Sequence, residues 1–323
     1  MNDHSFKGRY LSWSESDIPD QTGRVAVVTG ANGGLGLETA RALAFRGAHV
    51  IMASRNQDKA AVAEAAIRAR ATAVSIEIRP LDLASLESVA SLASSVTRDF
   101  DTLDLLINNA GLMGIPEQQT ADGFEMQFGV NHLGHYALTA RLLPLLVGTA
   151  GSRVVTVTST ARHFGNPVDP NNPHLRGNYT AWGAYGQSKL ANLHFALGLE
   201  ARLRSAGAET QSLVAHPGLS GTDLQANSVR QTQGGASQRF FEWLAHHTGT
   251  APERAALPQL RAATEPSARG GQLYAPRFGN GGAAVRRPLS GRSTNLEAIA
   301  TLFEVSERET GIPLDIDAAM GRS

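Results

Sequence analysis

From Arg24 onward, short apolar runs alternate with longer stretches whose apolar positions recur at helical spacing. Runs that short and that apolar suit strands buried on both faces, and the longer patterns suit helices that cover them. The alternation predicts an α/β fold with a parallel sheet. Strands are expected at Val25–Thr29, His49–Ala53, Ser75–Leu81, Leu103–Asn108, Arg153–Thr158 and Gln211–Ala215. Helices are expected after the first strand through Arg46, at Asp58–Arg70, at Leu86–Asp99, as one long element over Gly123–Leu146, and at Ala181–Arg204. Gly165–Asn178, rich in Pro, Asn and Gly, reads as loop. Beyond Pro217 the rhythm degrades. Residues 218–250 read as a mobile insertion with a short helix around Phe240–His246, and Gly270, Gly271, Gly279, Gly281 and Gly282 punctuate a loop-rich stretch. Asn295–Thr310 is the last expected helix. Residues 1–23 form a polar lead-in, with Trp13, Ile18 and Pro19 packing on the outside. No repeat or linker divides the rest, so residues 24–323 are expected to be one domain, with a substrate lid and extension at about 218–290.

Composition narrows the function classes. Hydrophobic content is 42%, charged content 18% and the formal net charge zero, so bulk electrostatics recruit neither nucleic acid nor an anionic membrane. The absence of cysteine excludes disulfides, thiolate catalysis and cysteine-ligated metal. Met1–Arg24 lacks the apolar core of a signal peptide, and no run reaches the roughly 18 apolar residues of a membrane span. The expectation is a soluble cytoplasmic protein without membrane insertion.

The hand-over from first strand to first helix carries the first chemistry. Val27–Gly36 reads Val-Val-Thr-Gly-Ala-Asn-Gly-Gly-Leu-Gly. Glycines at such a turn allow positive φ and let backbone N–H groups approach a pyrophosphate at the helix's positive end. This points to a Rossmann-type doubly wound sheet with helices on both faces, holding a dinucleotide at Gly30, Asn32, Gly33, Gly34, Leu35 and Gly36, with Asn32 tying the turn. The spacing reads equally as T-G-x-x-x-G-x-G or as G-x-x-G-x-x-G. At the end of the second strand, a carboxylate would grip ribose hydroxyls, whereas Ser54 and Arg55 offer a hydroxyl and a guanidinium suited to a 2′-phosphate. NADP(H) is therefore expected over NAD(H), the alternative being that Arg55 is a solvated charge. Asp82, with Leu83 beside it, either accepts from an adenine amino group or caps the helix that begins near Ser85.

Tyr185 and Lys189 stand four apart in a helical stretch and share a face. A nearby ammonium favours the phenolate, so the pair suits proton transfer at a carbonyl or alcohol oxygen. Their context matters more than their spacing. Ser159 ends a strand, and Asn108-Asn109-Ala110-Gly111 ends another, at the sheet edge where open α/β folds bind ligands. Asn131 lies inside the following helix, where an amide can disturb backbone bonding or hold a water.

In this order, the glycine turn, Asn-Asn-Ala-Gly, Ser159, Tyr185-Gly186-Gln187-Ser188-Lys189 and Pro217-Gly218 resemble the short-chain dehydrogenase/reductase family over roughly residues 22–225. The Asn-Asn-Ala-Gly run favours the first glycine reading over that of sugar epimerases. Asn131-His132-Leu133-Gly134-His135, Ser188-Lys189-Leu190-Ala191-Asn192 and His216-Pro217-Gly218 are similar to the retinol-dehydrogenase-like and protochlorophyllide-reductase-like subgroup. The light-driven branch is disfavoured by the lack of cysteine. The resemblance implies that Tyr185 is the proton donor or acceptor, that Lys189 binds the nicotinamide ribose and depresses the tyrosine pKa, and that Ser159 holds the substrate oxygen. It also implies that Asn131 supports a proton-relaying water. Asn109, Ala110 and Gly111 would flank the adenosine ribose, and Pro217, Gly218 and Thr222 the carboxamide. Thr156 and Thr158 depart from the Asn and Ser the family often shows.

The histidines carry less. His132 and His135, three apart, lack a carboxylate pair at ligand spacing, so no metal is expected. His163 and Phe164 shape a substrate mouth, His246 and His247 lie on the lid surface, and Trp182 packs or, alternatively, walls the substrate pocket. The activity expected is interconversion of a carbonyl and an alcohol on a small hydrophobic molecule by an NADP(H)-dependent enzyme. The competing readings are an NADP(H)-binding redox sensor and a reductase of a C=C bond in a large planar substrate. A homodimer would use the helices at 123–146 and 181–204.

Overall fold

The computed structural model of the chain describes residues 12–218, 250–279, 281–289 and 291–322. Its strands are β1 (Val25–Thr29), β2 (His49–Ser54), β3 (Ser75–Pro80), β4 (Leu105–Asn108), β5 (Arg153–Val157), β6 (Gln211–Ala215), β7 (Leu273–Pro276) and β8 (Ala284–Arg287). They form one eight-stranded sheet ordered β3-β2-β1-β4-β5-β6-β7-β8. Every pairing is parallel except β7 with β8. The chain steps outward from β1 to β3 and then returns to β4 on the other side of β1. The carboxyl ends of β1 and β4 therefore flank the topological switch point, where such sheets bind ligands.

The described helices are α1 (Gly34–Phe45), α2 (Gln57–Arg70), α3 (Leu86–Asp99), α4 (Met126–Phe128), α5 (Gly134–Val147), α6 (Ala181–Ser205), α7 (Pro252–Ala255), α8 (Leu257–Thr264), α9 (Leu296–Thr310) and α10 (Ile316–Ala319). Alternate strand residues serve opposite layers. Val25, Val27, Ile51 and Leu106 pack with α3, α5, α6 and α9, whereas Ala26, Val28, Val50, Leu105 and Ile107 pack with α1, α2 and α8. Both faces of the sheet are thus dry, as the unbroken apolar runs require. Local signals set the helix starts. Asn56 accepts from Lys59 N to cap α2, Ser85 from Ser88 N to cap α3, and Thr180 from Gly183 N to cap α6.

Three regions depart from the sequence expectation. The helix expected over Gly123–Leu146 is broken. Gly123 sits in a left-handed turn, Glu125 caps the short α4, and a π-helical turn over Gly129–Leu133 precedes α5. The glycine-punctuated stretch after Gly270 forms the β7–β8 hairpin that extends the sheet. In the lead-in, Trp13 and Ile18 are buried in the core beside α1, and Glu15 forms a two-pronged ion pair with Arg41. In the last two regions, short apolar segments set among polar or glycine residues find a ready-made surface to dock on.

The expected insertion at 218–250, including the helix at Phe240–His246, His246 and His247, lies outside the described residues apart from its ends. The C-terminal helix α9 lies on α6. Phe303 stacks on Phe195, the Arg202 guanidinium sits 3.6 Å from the Phe303 ring centre, and Gly198 leaves the room that this ring occupies.

Candidate active site

The glycine turn is built for close approach. Gly30 adopts φ 68°, and a side chain on Gly36 would collide with the Gly30 carbonyl and the Asn109 amide. Only hydrogen at position 36 lets α1 start against the end of β1, leaving Gly33, Gly34 and Leu35 at the helix's first turn. The tie expected from Asn32 is supplied by Asn109, whose Nδ2 donates to Thr29 O at 2.8 Å. Asn109 Oδ1 in turn accepts from Gln259 Nε2 of α8 at 3.2 Å. Nothing in the local sequence marks Gln259 for this, because α8 arrives from far along the chain.

At the end of β2, Ser54 is buried and, among the described residues, its hydroxyl makes only a long 3.5 Å bond, to Asn56 O. The Arg55 side chain is 68% exposed and reaches Asp82 Oδ1 at 4.0 Å, a loose pairing that leaves the guanidinium available. Asp82 does not cap α3. It accepts from Ala84 N at 3.0 Å, and Ser85 holds the cap. Leu83 is buried and packs against Gly134, where a side chain would strike its carbonyl. These residues, with the glycine turn, fit a phosphorylated dinucleotide: a side-chain-free cradle, a buried hydroxyl and an exposed cation.

The second cluster lies across the switch point. Tyr185 is buried in α6; burial pushes its phenol above the ordinary tyrosine value, while a hydrogen bond with Ser159 pulls the other way. Lys189 is buried one turn on, with Nζ 5.8 Å from the Tyr185 ring centre, and burial lowers its ammonium to about 8. That value keeps it largely charged at neutral pH. Here burial, not the lysine, dominates the tyrosine's shift, which qualifies the expectation of a depressed phenol. Thr158, one of the two departures, donates to Lys189 O at 2.6 Å and fastens that backbone to the end of β5.

Asn131 sits in the π turn, so its presence there does accompany broken α-helical bonding. Its side chain is fully engaged: Oδ1 accepts from Leu112 N at 2.6 Å, and Nδ2 donates to Leu112 O and Ser188 Oγ, each at 2.9 Å. Gly111 closes the group. A side chain there would come within 3.1 Å of Asn131 Oδ1 and 3.2 Å of Lys189 Nζ. Ala110 N bonds Thr29 Oγ1 at 3.0 Å, which fixes the Asn-Asn-Ala-Gly run to β1. Gly218, after Pro217, takes φ 82°, and its N–H faces His216 Nδ1 at 3.4 Å. Thr222 lies outside the described residues.

The loop expected at Gly165–Asn178 is fastened at several points that its sequence does not announce. Gly165 lies backbone to backbone on Gly186, beside Tyr185, where neither position has space for a side chain. His174 Nδ1 accepts from Glu125 N at 3.1 Å, which leaves Nε2 to donate to Glu309 of α9 at 3.0 Å. Arg308 donates to Pro170 O. Phe164 is 57% exposed and touches Gly186 rather than the core, and Trp182 meets the Tyr185 ring edge-on at 5.9 Å. His132 and His135 do not converge. His132 Nε2 bonds Ser306 Oγ, and His135 bonds Thr29 and Asn131.

Residues 24–233 match the family model described as short chain dehydrogenase. The chain belongs to the short-chain dehydrogenase family. It is therefore an oxidoreductase with an NAD(P)-type Rossmann fold. This short-chain dehydrogenase is 42% identical over 263 residues to polyprenol dehydrogenase from Mus musculus, covering 78% of this chain and 75% of that protein. It is 42% identical over 212 residues to retinol dehydrogenase 13 from Homo sapiens, covering 65% of this chain and 62% of that one. A crystal structure of an uncharacterised protein from Mycobacterium paratuberculosis superposes with a TM-score of 0.77 at 39% identity, covering 94% of this chain and 99% of that one. Among the described residues, no helix of this dehydrogenase is long and apolar enough to cross a membrane.

Proposed function

We propose that the protein is an NADP(H)-dependent enzyme that interconverts an alcohol and a carbonyl on an apolar, isoprenoid-like molecule. The observation that carries this is the hydrogen bond between half-buried Ser159 and buried Tyr185, with Lys189 one turn away, at the carboxyl edge of the sheet beside the glycine turn. The substrate class is supported by the retinol and polyprenol dehydrogenases the chain is similar to. Trp182 meets the Tyr185 ring and the exposed Phe164 lies beside Gly186, the next residue, and they offer aromatic surface to an apolar chain.

A nicotinamide dinucleotide held at the glycine turn, Ser54 and Arg55 would supply the hydride chemistry. The protein handles the proton. In reduction, Tyr185 Oη gives its proton to the oxygen that becomes the hydroxyl; in oxidation, the phenolate takes it back. Ser159 Oγ holds that same oxygen and accepts its own orientation from Ala161 N at 3.2 Å. Lys189, charged below about pH 8, favours the phenolate in that range. Ser54 and Arg55 would receive the 2′-phosphate, with Asp82 and Leu83 lining the adenine side. Asn131 would hold Leu112 and Ser188 in place around the lysine. Pro217 and Gly218 would face the carboxamide.

The test is oxidation of NADPH and NADH, followed at 340 nm, with isoprenoid, aromatic and short aliphatic aldehydes and ketones. Turnover of isoprenoid carbonyls with NADPH is expected, falling at least about a hundredfold in Tyr185→Phe. Measurable NADPH binding with no turnover of any carbonyl would favour a redox sensor.

A further inference from the structure

We propose that His135 is a positioning residue that locks Asn131 and its neighbour Lys189 to the glycine turn, through a hydrogen-bonded chain whose direction the structure determines. The catalytic meaning of this lock rests on the reading of Tyr185 and Lys189 above; the lock itself does not.

The direction follows from counting lone pairs. Thr29 Oγ1 is buried and accepts from Asn109 N and Ala110 N, each at 3.0 Å. A hydroxyl oxygen has two lone pairs and one proton, so both acceptor positions are taken. The proton remains, and His135 Nε2 lies 2.9 Å away, closer than Ile107 O at 3.3 Å. A protonated Nε2 would be a third donor aimed at an oxygen with no lone pair left. On the other side of the ring, Nδ1 lies 3.0 Å from Asn131 O, a carbonyl that can only accept. Both contacts are satisfied by one species alone: a neutral ring protonated at Nδ1. Complete burial of the imidazole holds its pKa to about 4 and keeps it neutral.

The chain therefore runs from the amides of Asn109 and Ala110, through the Thr29 hydroxyl and the His135 ring, to the Asn131 carbonyl. One end is the Asn109-Ala110 run after β4, held through Thr29 beside the turn that carries Gly30. The other is the π turn, whose Asn131 amide clamps Leu112 and Ser188, the residue before Lys189. His132, one turn back, has the opposite proton placement. Ser306 Oγ gives its proton to Leu302 O at 2.6 Å, so it accepts from His132 Nε2 and leaves Nδ1 without a partner. Of the two histidines, only His135 links two parts of the site. An apolar side chain of similar size would fill the space but could not both donate to a carbonyl and accept from a hydroxyl. A carboxamide can.

Two measurements on the full-length protein decide this. In ¹⁵N spectra of the imidazoles at neutral pH, assigned by loss of the signal in His135→Gln, the ring is expected as the neutral Nδ1–H form. An Nε2–H or charged ring overturns the chain. In the second, His135→Leu is expected to weaken NADPH binding and lower kcat, each about tenfold or more, with substrate KM little changed, because small displacements of reacting groups are costly. His135→Gln, keeping one donor and one acceptor, is expected to restore both. Equal losses in the two variants, or none in His135→Leu, would mean that the ring only fills space. If the wild-type chain turns over no carbonyl, the functional proposal falls, and the lock is judged on the tautomer and NADPH affinity alone.

Discussion

Arg55 and Lys189 show how much one side chain decides. The guanidinium stands exposed at the end of β2, held only loosely by Asp82. A charge-assisted bond to a phosphate is worth about 1.5–3 kcal/mol, so Arg55→Ala should raise KM for NADPH at least about tenfold and leave NADH unaffected. Equal effects on both cofactors in steady-state assays would remove the basis for NADP(H) preference. Lys189 acts through charge rather than contact. Its folded-state value of about 8 means that the ammonium is lost as pH rises through 8. Lys189→Met should therefore lower alcohol oxidation below about pH 8, where the wild-type ammonium is present to favour the phenolate, and change it little above that pH. A pH profile that stays in place would show that burial alone controls Tyr185.

Among the elements, the π turn and the pinned loop matter most. Glu125, His174 and Glu309 come from three separate stretches and form one connected set. It ties the segment between Ser159 and Tyr185 to the C-terminal helix, so α9 supports the substrate side without supplying a reacting group. His174→Ala removes both bonds. It should raise substrate KM about threefold to tenfold while NADPH affinity stays constant, as expected when a loop that shapes a pocket is loosened. Titration calorimetry with NADPH alongside steady-state kinetics separates the two; a matching loss of NADPH affinity would place the effect in the sheet edge. Phe303→Ala should cost about 3–5 kcal/mol of stability by emptying the space on Gly198, visible in urea unfolding.

The whole molecule carries a sign-determined response to acid. His132, His135 and His216 are buried and held to about 3, 4 and 3. An unfolded histidine titrates near 6.5, so between about pH 6.5 and pH 4 the unfolded chain takes up protons that the native one refuses. Stability is present above 6.5 and is lost as pH falls. Glu125, raised by burial to about 7, opposes this with one proton, because its native form holds that proton more firmly than the unfolded chain does. His163, lowered by burial, adds to the histidines and Glu200, raised by burial, to Glu125, and the buried histidines outweigh the carboxyls, so stability falls as pH falls near pH 5.5. Thermal melts from pH 7 to pH 5 should show it, and His132→Phe should flatten the slope. A melting temperature that rises on acidification would contradict the buried neutral histidines.

The strands through Gln211–Ala215, the glycine turn and the order of the site residues could be read directly, because each rests on local physics. A run of apolar residues has to be a buried strand in a doubly covered sheet. Gly36 has to be glycine where a helix begins against a carbonyl. A tyrosine and a lysine four apart share a helix face. What escaped reading depends on surfaces that exist only after the sheet has formed. Trp13 and Ile18 look like a tail until α1 gives them a core, and the short, glycine-interrupted β7–β8 stretch becomes a strand pair only where β6 offers its edge. Asp82 offered two local roles, and Ser85 took the cap. Asn131 itself hinted at disturbed bonding inside the expected helix, but the form of the break rests on bonds to Leu112, Ser188 and, through His135, Thr29, which lie outside that helix. Sequence by itself determined the layers of the fold and which residues meet at the sheet edge. Tertiary structure alone decided the proton positions on His132, His135 and His174, because these depend on partners that only packing brings within hydrogen-bonding distance.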